Sequence, residues 1–291
     1  MSDQFMQQLT MQQLSEPEAL MAARNQARHR GESIAVVPTM GNLHDGHLSL
    51  LERAQSVADR VFCTIFVNPA QFGPEEDIDN YPRTLESDLD KLRSLGVDFV
   101  FTPSIEAMYP PGDQTRVRVP ELSLGHCGAS RPGHFDGVAT VVCKLLNLMQ
   151  ADYAVFGEKD YQQLAVIRRM VKDLFIPTQV LSAPTRRAED GLALSSRNGY
   201  LTTGERALAP MLYQQLRATR DAILDDQSDW RLLEQQAQQT LADAGWQPDY
   251  FNIARQQDLQ PATPNDHSLV ILAAARLSRA RLIDNLAFER P

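Results

Sequence analysis

The chain has 291 residues, enough for one large domain or two smaller ones around a well-buried core. Hydrophobic residues make up 43% of it, against 17 Pro and 15 Gly, which describes a folded globular protein and excludes a disordered or collagen-like chain. The net charge of −9, from 28 Lys plus Arg against 37 Asp plus Glu, argues against nucleic-acid binding, which needs a cationic surface. A small anionic ligand held by a few local cations remains compatible with that balance.

Residues 1–14, MSDQFMQQLTMQQL, lack a basic segment followed by an apolar one, so no secretory signal is read there. Ser15 and Glu18 have the spacing of a capping box before a helix that ends near Gly31. Ile34 to Val37 and Val61 to Val67 are apolar runs expected as buried strands, with Leu48, Leu50, Leu51 and Ala54 on one helix between them. Leu85, Leu89, Leu92 and Leu95 repeat at helical spacing, Gly96 stops that helix, and Phe99 to Phe101 reads as a strand. The alternation continues with a helix over 137–150, a strand at Tyr153 to Phe156, a helix over 161–174 and a strand at Thr178 to Leu181. Such βαβ units imply an α/β fold, a Rossmann-like doubly wound parallel sheet whose ligands sit beyond the carboxyl ends of the strands.

The pattern changes after Thr185. Thr202 and Glu205 form a capping box opening a helix through Arg217, and a second helix spans 229–243 before Gly245. Strand-like runs follow at Tyr250 to Ala254, Leu269 to Ala275 and Arg281 to Phe288. The expected organisation is a Rossmann-like ligand-binding domain over 1–185 and a smaller α+β lid domain over 186–291. The run Leu269 to Ala275 is too short to span a bilayer, so no membrane association is expected. Cys63, Cys127 and Cys143 are odd in number and follow no metal or disulfide spacing; Cys63 and Cys143 read as buried thiols of a cytoplasmic protein.

The segment Pro38 to Leu51, PTMGNLHDGHLSLL, carries the sharpest chemistry. His44 and His47 flank Asp45 and Gly46 where a strand gives way to a helix. A helix N-terminus offers unpaired N–H groups and a positive dipole end to phosphate, and imidazoles can donate to phosphate oxygens. A zinc site lacks further ligands at familiar spacing. Lys159, in Gly157-Glu158-Lys159-Asp160, can pair with phosphate, and Asp160 can accept from ribose hydroxyls or cap the following helix. Ser195, Ser196 and Arg197 offer two hydroxyls and a guanidinium to outer phosphates.

These segments resemble the pantothenate synthetase family of the HIGH-type nucleotidyltransferase superfamily. PTMGNLHDGHLSLL matches its signature, and four further blocks match in order: FVNPAQFGPEEDIDNYPRTLESD from Phe66, RPGHFDGVATVV from Arg131, FGEKDYQQL from Phe156 and DGLALSSRN from Asp190. The tail LVILAAARLSRARLIDN is similar too. The resemblance implies ATP-dependent joining of pantoate to β-alanine through an adenylate, releasing pyrophosphate and then AMP. The 1–185 domain would then bind nucleotide and pantoate. The resemblance also implies that Met40, Gly41, Asn42, Leu43, His44, Asp45, Gly46 and His47 bind ATP, with His47, His44 and Lys159 as catalytic groups. Gly157, Glu158, Lys159, Asp160, Arg186, Leu194, Ser195, Ser196 and Arg197 would complete the ATP site. Leu194 stands where the family usually has Met, and Arg186 where a smaller apolar residue is common. Gln71 and Gln163 match pantoate-binding positions, and neutral amides suit a carboxylate that must stay nucleophilic.

Tyr81, Asp88 and His134 lie in matched blocks, either touching ligand or, for Tyr81 and Asp88, packing beside Pro82 and facing solvent from a helix. Phosphate chemistry implies Mg²⁺ on ATP with ligands unassigned, and the resemblance implies a homodimer. Another HIGH-type nucleotidyltransferase, or a binding module without catalysis, are the competing readings.

Overall fold

A computed structural model of the chain describes residues 11–73, 78 and 81–291. The first ten residues, read above for a signal, and part of the block from Phe66 lie outside the described residues. The chain divides into two compact units. The first comprises residues up to 119, 133–157 and 167–183; the second comprises 120–132, 158–166 and 184–291.

The first unit holds a six-stranded sheet of β1 (Gln12–Leu14), β2 (Ile34–Thr39), β3 (Arg60–Ile65), β4 (Phe99–Phe101), β5 (Tyr153–Gly157) and β6 (Gln179–Ala183). Its order is β1-β4-β3-β2-β5-β6, and every pairing is parallel. From β2 the chain builds outward through β3 and β4, then returns to the other side of β2 with β5. The strand order therefore reverses between β2 and β5, the topological switch point where doubly wound sheets bind ligands. The expected α/β class is found. Edge strand β1 has a polar sequence, QQL, that gives no apolar signal.

Helices α1 (Pro17–His29), α2 (Asp45–Gln55), α3 (Leu85–Leu95) and, beyond the single-turn α4 (Ile105–Met108), α5 (Pro120–Ser123) and α6 (Cys127–Ser130), α7 (His134–Met149) flank or follow these strands. One face of the sheet buries Val37, Cys63, Val100 and Val155 against Leu50, Leu51 and Leu92 of α2 and α3. Gly96 ends α3 in the left-handed region at φ 76°, as its place in the sequence suggests. The Ser15–Glu18 box does not form: Glu16 is the N-cap and makes no side-chain cap bond. Pro17 opens α1 instead, its fixed φ and missing N–H suiting the first turn. Cys63 is fully buried, and burial pushes its thiol up to about 12. Cys143 is only half-buried, so the buried reading fails there.

Helix α8 (Tyr161–Asp173) starts in the second unit and ends in the first. The second unit also contains α9 (Thr203–Leu208), α10 (Met211–Leu224), α11 (Trp230–Asp243) and an antiparallel sheet of β7 (Gln247–Arg255), β8 (Ser268–Leu277) and β9 (Ala280–Glu289). The Thr202–Glu205 capping box is present, but the helix it opens breaks after Leu208. Pro210 caps α10 rather than continuing α9, since proline cannot donate to the preceding turn. Leu212, Leu216 and Ile223 of α10 and Leu233, Ala237 and Leu241 of α11 pack on Phe251, Ile253, Leu269 and Ile271 of the sheet. No helix among the described residues is long and apolar enough to cross a membrane.

Candidate active site

Strand β2 delivers Met40 and Gly41 to the switch point, and the chain turns there into α2. Asn42 adopts φ 51°, a left-handed conformation asparagine tolerates. Asp88, in the first turn of α3, fixes this turn. Its carboxylate accepts from Asn42 N and Leu43 N, each at 2.8 Å, and from Thr84 Oγ1 at 3.1 Å. Lys91, one turn further along α3, donates to Leu43 O at 2.6 Å. Asp88 is completely buried, which overturns the reading of a solvated helix face.

The turn presents His44 as the N-cap of α2 and His47 as its third residue, in a reciprocal capping box. His44 Nδ1 accepts from Gly46 N at 3.1 Å, and His47 Nδ1 accepts from His44 N at 3.3 Å. The rings lie 4.1 Å apart and tilted by 40°. An Nδ1 that accepts a backbone N–H carries no proton, so each neutral imidazole holds its proton on Nε2. Two N–H donors thus sit beside the positive end of a helix, an arrangement suited to anionic oxygen.

Gln71, in the 3₁₀ turn Pro69–Gln71 after β3, is buried. Its Oε1 accepts from Asn68 Nδ2 at 3.1 Å, and its Nε2 lies 3.0 Å from the Met40 sulfur. The side chain therefore reaches Met40, where β2 gives way to the turn before α2. His134, the first residue of α7, makes a 2.8 Å bond through Nδ1 to Gln71 O and meets the Phe135 ring edge-on. Tyr81 is buried and packs edge-on against Phe72.

In the second unit, Glu158–Asp160 form a 3₁₀ turn leading into α8. Lys159 is half-buried, and its side chain has no ion pair among the described residues. Lys159, Ser195, Asn198 and Asp284 line one small cavity. Ser195 caps the 3₁₀ turn Ser196–Tyr200 by accepting from Arg197 N at 3.2 Å. Arg186 is exposed and its carbonyl accepts from Leu194 N at 2.9 Å, which closes the loop between them. Gln163 and Gln162 separate cleanly. Gln162 is buried and bonded to Cys127 N, Leu122 O and Gly125 O, whereas the Gln163 amide has no partner among the described residues. The first unit thus brings together Met40 to His47, Gln71, Asp88 and His134; the second brings together Lys159 and Ser195. Among the described residues, no group of three or more His, Cys, Asp or Glu is placed to hold a metal ion.

The model of the pantoate-beta-alanine ligase family matches residues 12–287. The chain belongs to that family. It is 57% identical over 272 residues to the pantothenate synthetase of Stutzerimonas stutzeri, covering 93% of this chain and 95% of the relative. The enzyme of Marinobacter nauticus is 55% identical over 265 residues, 90% and 94% of the two chains. Among solved structures, the pantothenate synthetase of Thermus thermophilus superposes with a TM-score of 0.89 at 46% identity, covering 95% of this chain and 99% of that one. The pantoate-beta-alanine ligase of Francisella tularensis, complexed with beta-gamma ATP and beta-alanine, does so at 0.81 and 36%, covering 95% and 97%.

Within this ligase fold, sequence reasoning missed Asn68. It is 1% exposed, donates to Gln71 Oε1 and Gly137 O, and accepts from Ala70 N and Tyr109 Oη. The Asn68-Pro69 dipeptide, a turn signal, was the available hint. Asp88→Asn is expected to destabilise the first unit by about 2 kcal/mol, since the amide oxygen keeps one of the two backbone N–H groups while its NH2 sets a donor against the other. Thermal unfolding checks this, and the KM for ATP should rise as the turn loosens. Wild-type values for both would contradict the clamp.

Proposed function

We propose that the chain is an ATP-dependent, AMP-forming pantoate–β-alanine ligase. A pantoate carboxylate oxygen attacks the α-phosphorus of ATP, the bond to the β-phosphate oxygen breaks, and pyrophosphate leaves. The amine of β-alanine then attacks the acyl carbon, the bond to AMP breaks and the nitrogen loses a proton. The observation that carries this reading is the reciprocal His44–His47 box, which holds two Nε2–H donors at the N-terminus of α2. An anionic nucleophile attacking an anionic phosphate needs such fixed donors, because charge grows on the phosphoryl oxygens during transfer.

Lys159 and Arg197 add cations for the phosphates, with Ser195 and Ser196 donating hydroxyls. Met40 to Leu43, Asp45 and Gly46 shape the turn. Gly157, Glu158 and Asp160 contact the nucleoside side of ATP, and Arg186 and Leu194 flank it. Gln71 and Gln163 hold pantoate by neutral amides. Mg²⁺ would enter with ATP and would offset negative charge on its phosphates. The relative from Francisella tularensis was solved with a β,γ form of ATP and β-alanine, which supports the same substrates here. We place the enzyme in the cytoplasm as a homodimer; light scattering of the purified chain tests the second point.

Incubation with ATP, pantoate and β-alanine should yield the amide, AMP and pyrophosphate in equal amounts by ³¹P NMR and mass spectrometry. Formation of ADP, or of a dinucleotide without the amine, would reject this reading in favour of another nucleotidyl-transfer chemistry.

A further inference from the structure

Strand β9 carries two buried polar residues side by side, Asp284 at 5% and Asn285 at 7% exposure. Buried polar groups in an antiparallel strand are costly unless they are bonded, so each needs a partner that matters. The Asn285 side-chain nitrogen donates to two successive carbonyls, Glu158 O and Lys159 O, both at 2.9 Å. Both of its amide hydrogens are therefore spent on the 3₁₀ turn that carries Lys159. Asp284 anchors the middle of the strand. It takes a bidentate pair from Arg187, with Nη1 at 2.5 Å and Nη2 at 2.8 Å, and accepts from Asn285 N at 2.8 Å. Arg187 in turn donates to Gly191 O at 3.1 Å and stacks 3.6 Å over the Tyr213 ring. The same dipeptide thus ties down the turn at 158–160 and the loop leading to Ser195.

A lysine on a short turn is a mobile point charge, and its use against a phosphate depends on how well its backbone is fixed. Nothing else about Asn285 demands an amide: a buried strand position would ordinarily take an apolar residue. We propose that Asn285 is a positioning residue for the reaction, acting through Lys159 by holding the two carbonyls that flank it in the chain. Its side chain does not meet the substrates; it sets where the Lys159 ammonium sits. The inference rests on the assignment of Lys159 to the phosphates of ATP.

The test is a double-mutant cycle on the full chain, with kcat and the KM values for ATP and pantoate measured well below the unfolding midpoint. Asn285→Ala is expected to lower kcat about tenfold and leave the KM for pantoate unchanged. Lys159→Ala should lower kcat by more than tenfold, and adding Asn285→Ala to it should cost less than a further twofold. Asn285→Ser, whose hydroxyl has one hydrogen and so cannot donate to both carbonyls, gives the same readings if the alanine variant does not fold. Leu272→Ala, which removes packing at the strand position paired with Asn285, controls for sheet stability. It should lower the unfolding midpoint without changing kcat. Independent, multiplying effects of the Asn285 and Lys159 changes would overturn the proposal. So would a loss of thermal stability with wild-type kcat. If Lys159→Ala alone retained wild-type turnover, the assignment of Lys159 to the phosphates would fail, a result separable from failure of Asn285 to act through it.

Discussion

Replacing His47 with asparagine is expected to lower kcat by about 10²–10³-fold while the unfolding midpoint stays within a few degrees of wild type. The two outcomes separate because the two ring nitrogens have separate tasks. Nδ1 accepts His44 N and completes the capping box of α2. An asparagine Oδ1 occupies nearly the same place relative to the backbone and can take that bond. Nε2–H, the donor we assign to a phosphate oxygen, has no counterpart at that reach in asparagine. A cap is worth about 1 kcal/mol, so His47→Ala would confuse lost capping with lost chemistry, whereas His47→Asn isolates the chemistry. Adenylation can be followed alone by pyrophosphate exchange into ATP, and it should fall in parallel with overall turnover. A variant retaining more than a third of wild-type kcat would remove His47 from the catalytic groups.

The legible parts of the fold were those written in local pattern. Apolar runs marked β2, β3, β4 and β5, and Gly96 marked the end of α3 because only a left-handed residue closes that turn comfortably. The HDGH segment was legible as a helix entrance, and α2 does begin at Asp45. What stayed hidden depends on distant partners. Asp88 reads as one more charge on an amphipathic helix, yet its acceptors are filled by backbone N–H groups of Asn42 and Leu43, some 45 residues away. No periodicity records such a pairing. The burial of Gln71 is equally silent in local pattern, since it follows from α7 closing over the 68–71 turn. β1 escaped because an edge strand need not be apolar. The Ser15–Glu18 box had the right letters, but α1 starts at Pro17 with Glu16 as its N-cap, one residue later than that box requires.

Gly137→Ala is the second large effect, and its sign runs against the usual rule. In a helix interior, glycine to alanine normally stabilises by about 1 kcal/mol. Gly137 lies inside α7, but a Cβ there would fall 2.1 Å from Ala70 O, 2.4 Å from Ala70 C and 2.6 Å from Gln71 N. Those are backbone atoms, so no side chain can swing away; the helix or the 68–71 turn must move. The same contact carries the Asn68 bond to Gly137 O at 3.1 Å and the His134 bond to Gln71 O at 2.8 Å. Overpacking of this kind costs about 1–3 kcal/mol, and loss of either bond adds to it. Displacing the turn also displaces the Gln71 amide, so the KM for pantoate should rise about tenfold or more. Gly204→Ala is the matched control, because a Cβ there meets nothing within 4 Å. It should follow the usual rule, keeping or slightly raising stability, and leave the KM for pantoate unchanged. If Gly137→Ala instead raised the unfolding midpoint and kept the wild-type KM for pantoate, α7 would not be pressed against the Asn68–Gln71 turn, and Gln71 would lose its structural claim to the acid substrate.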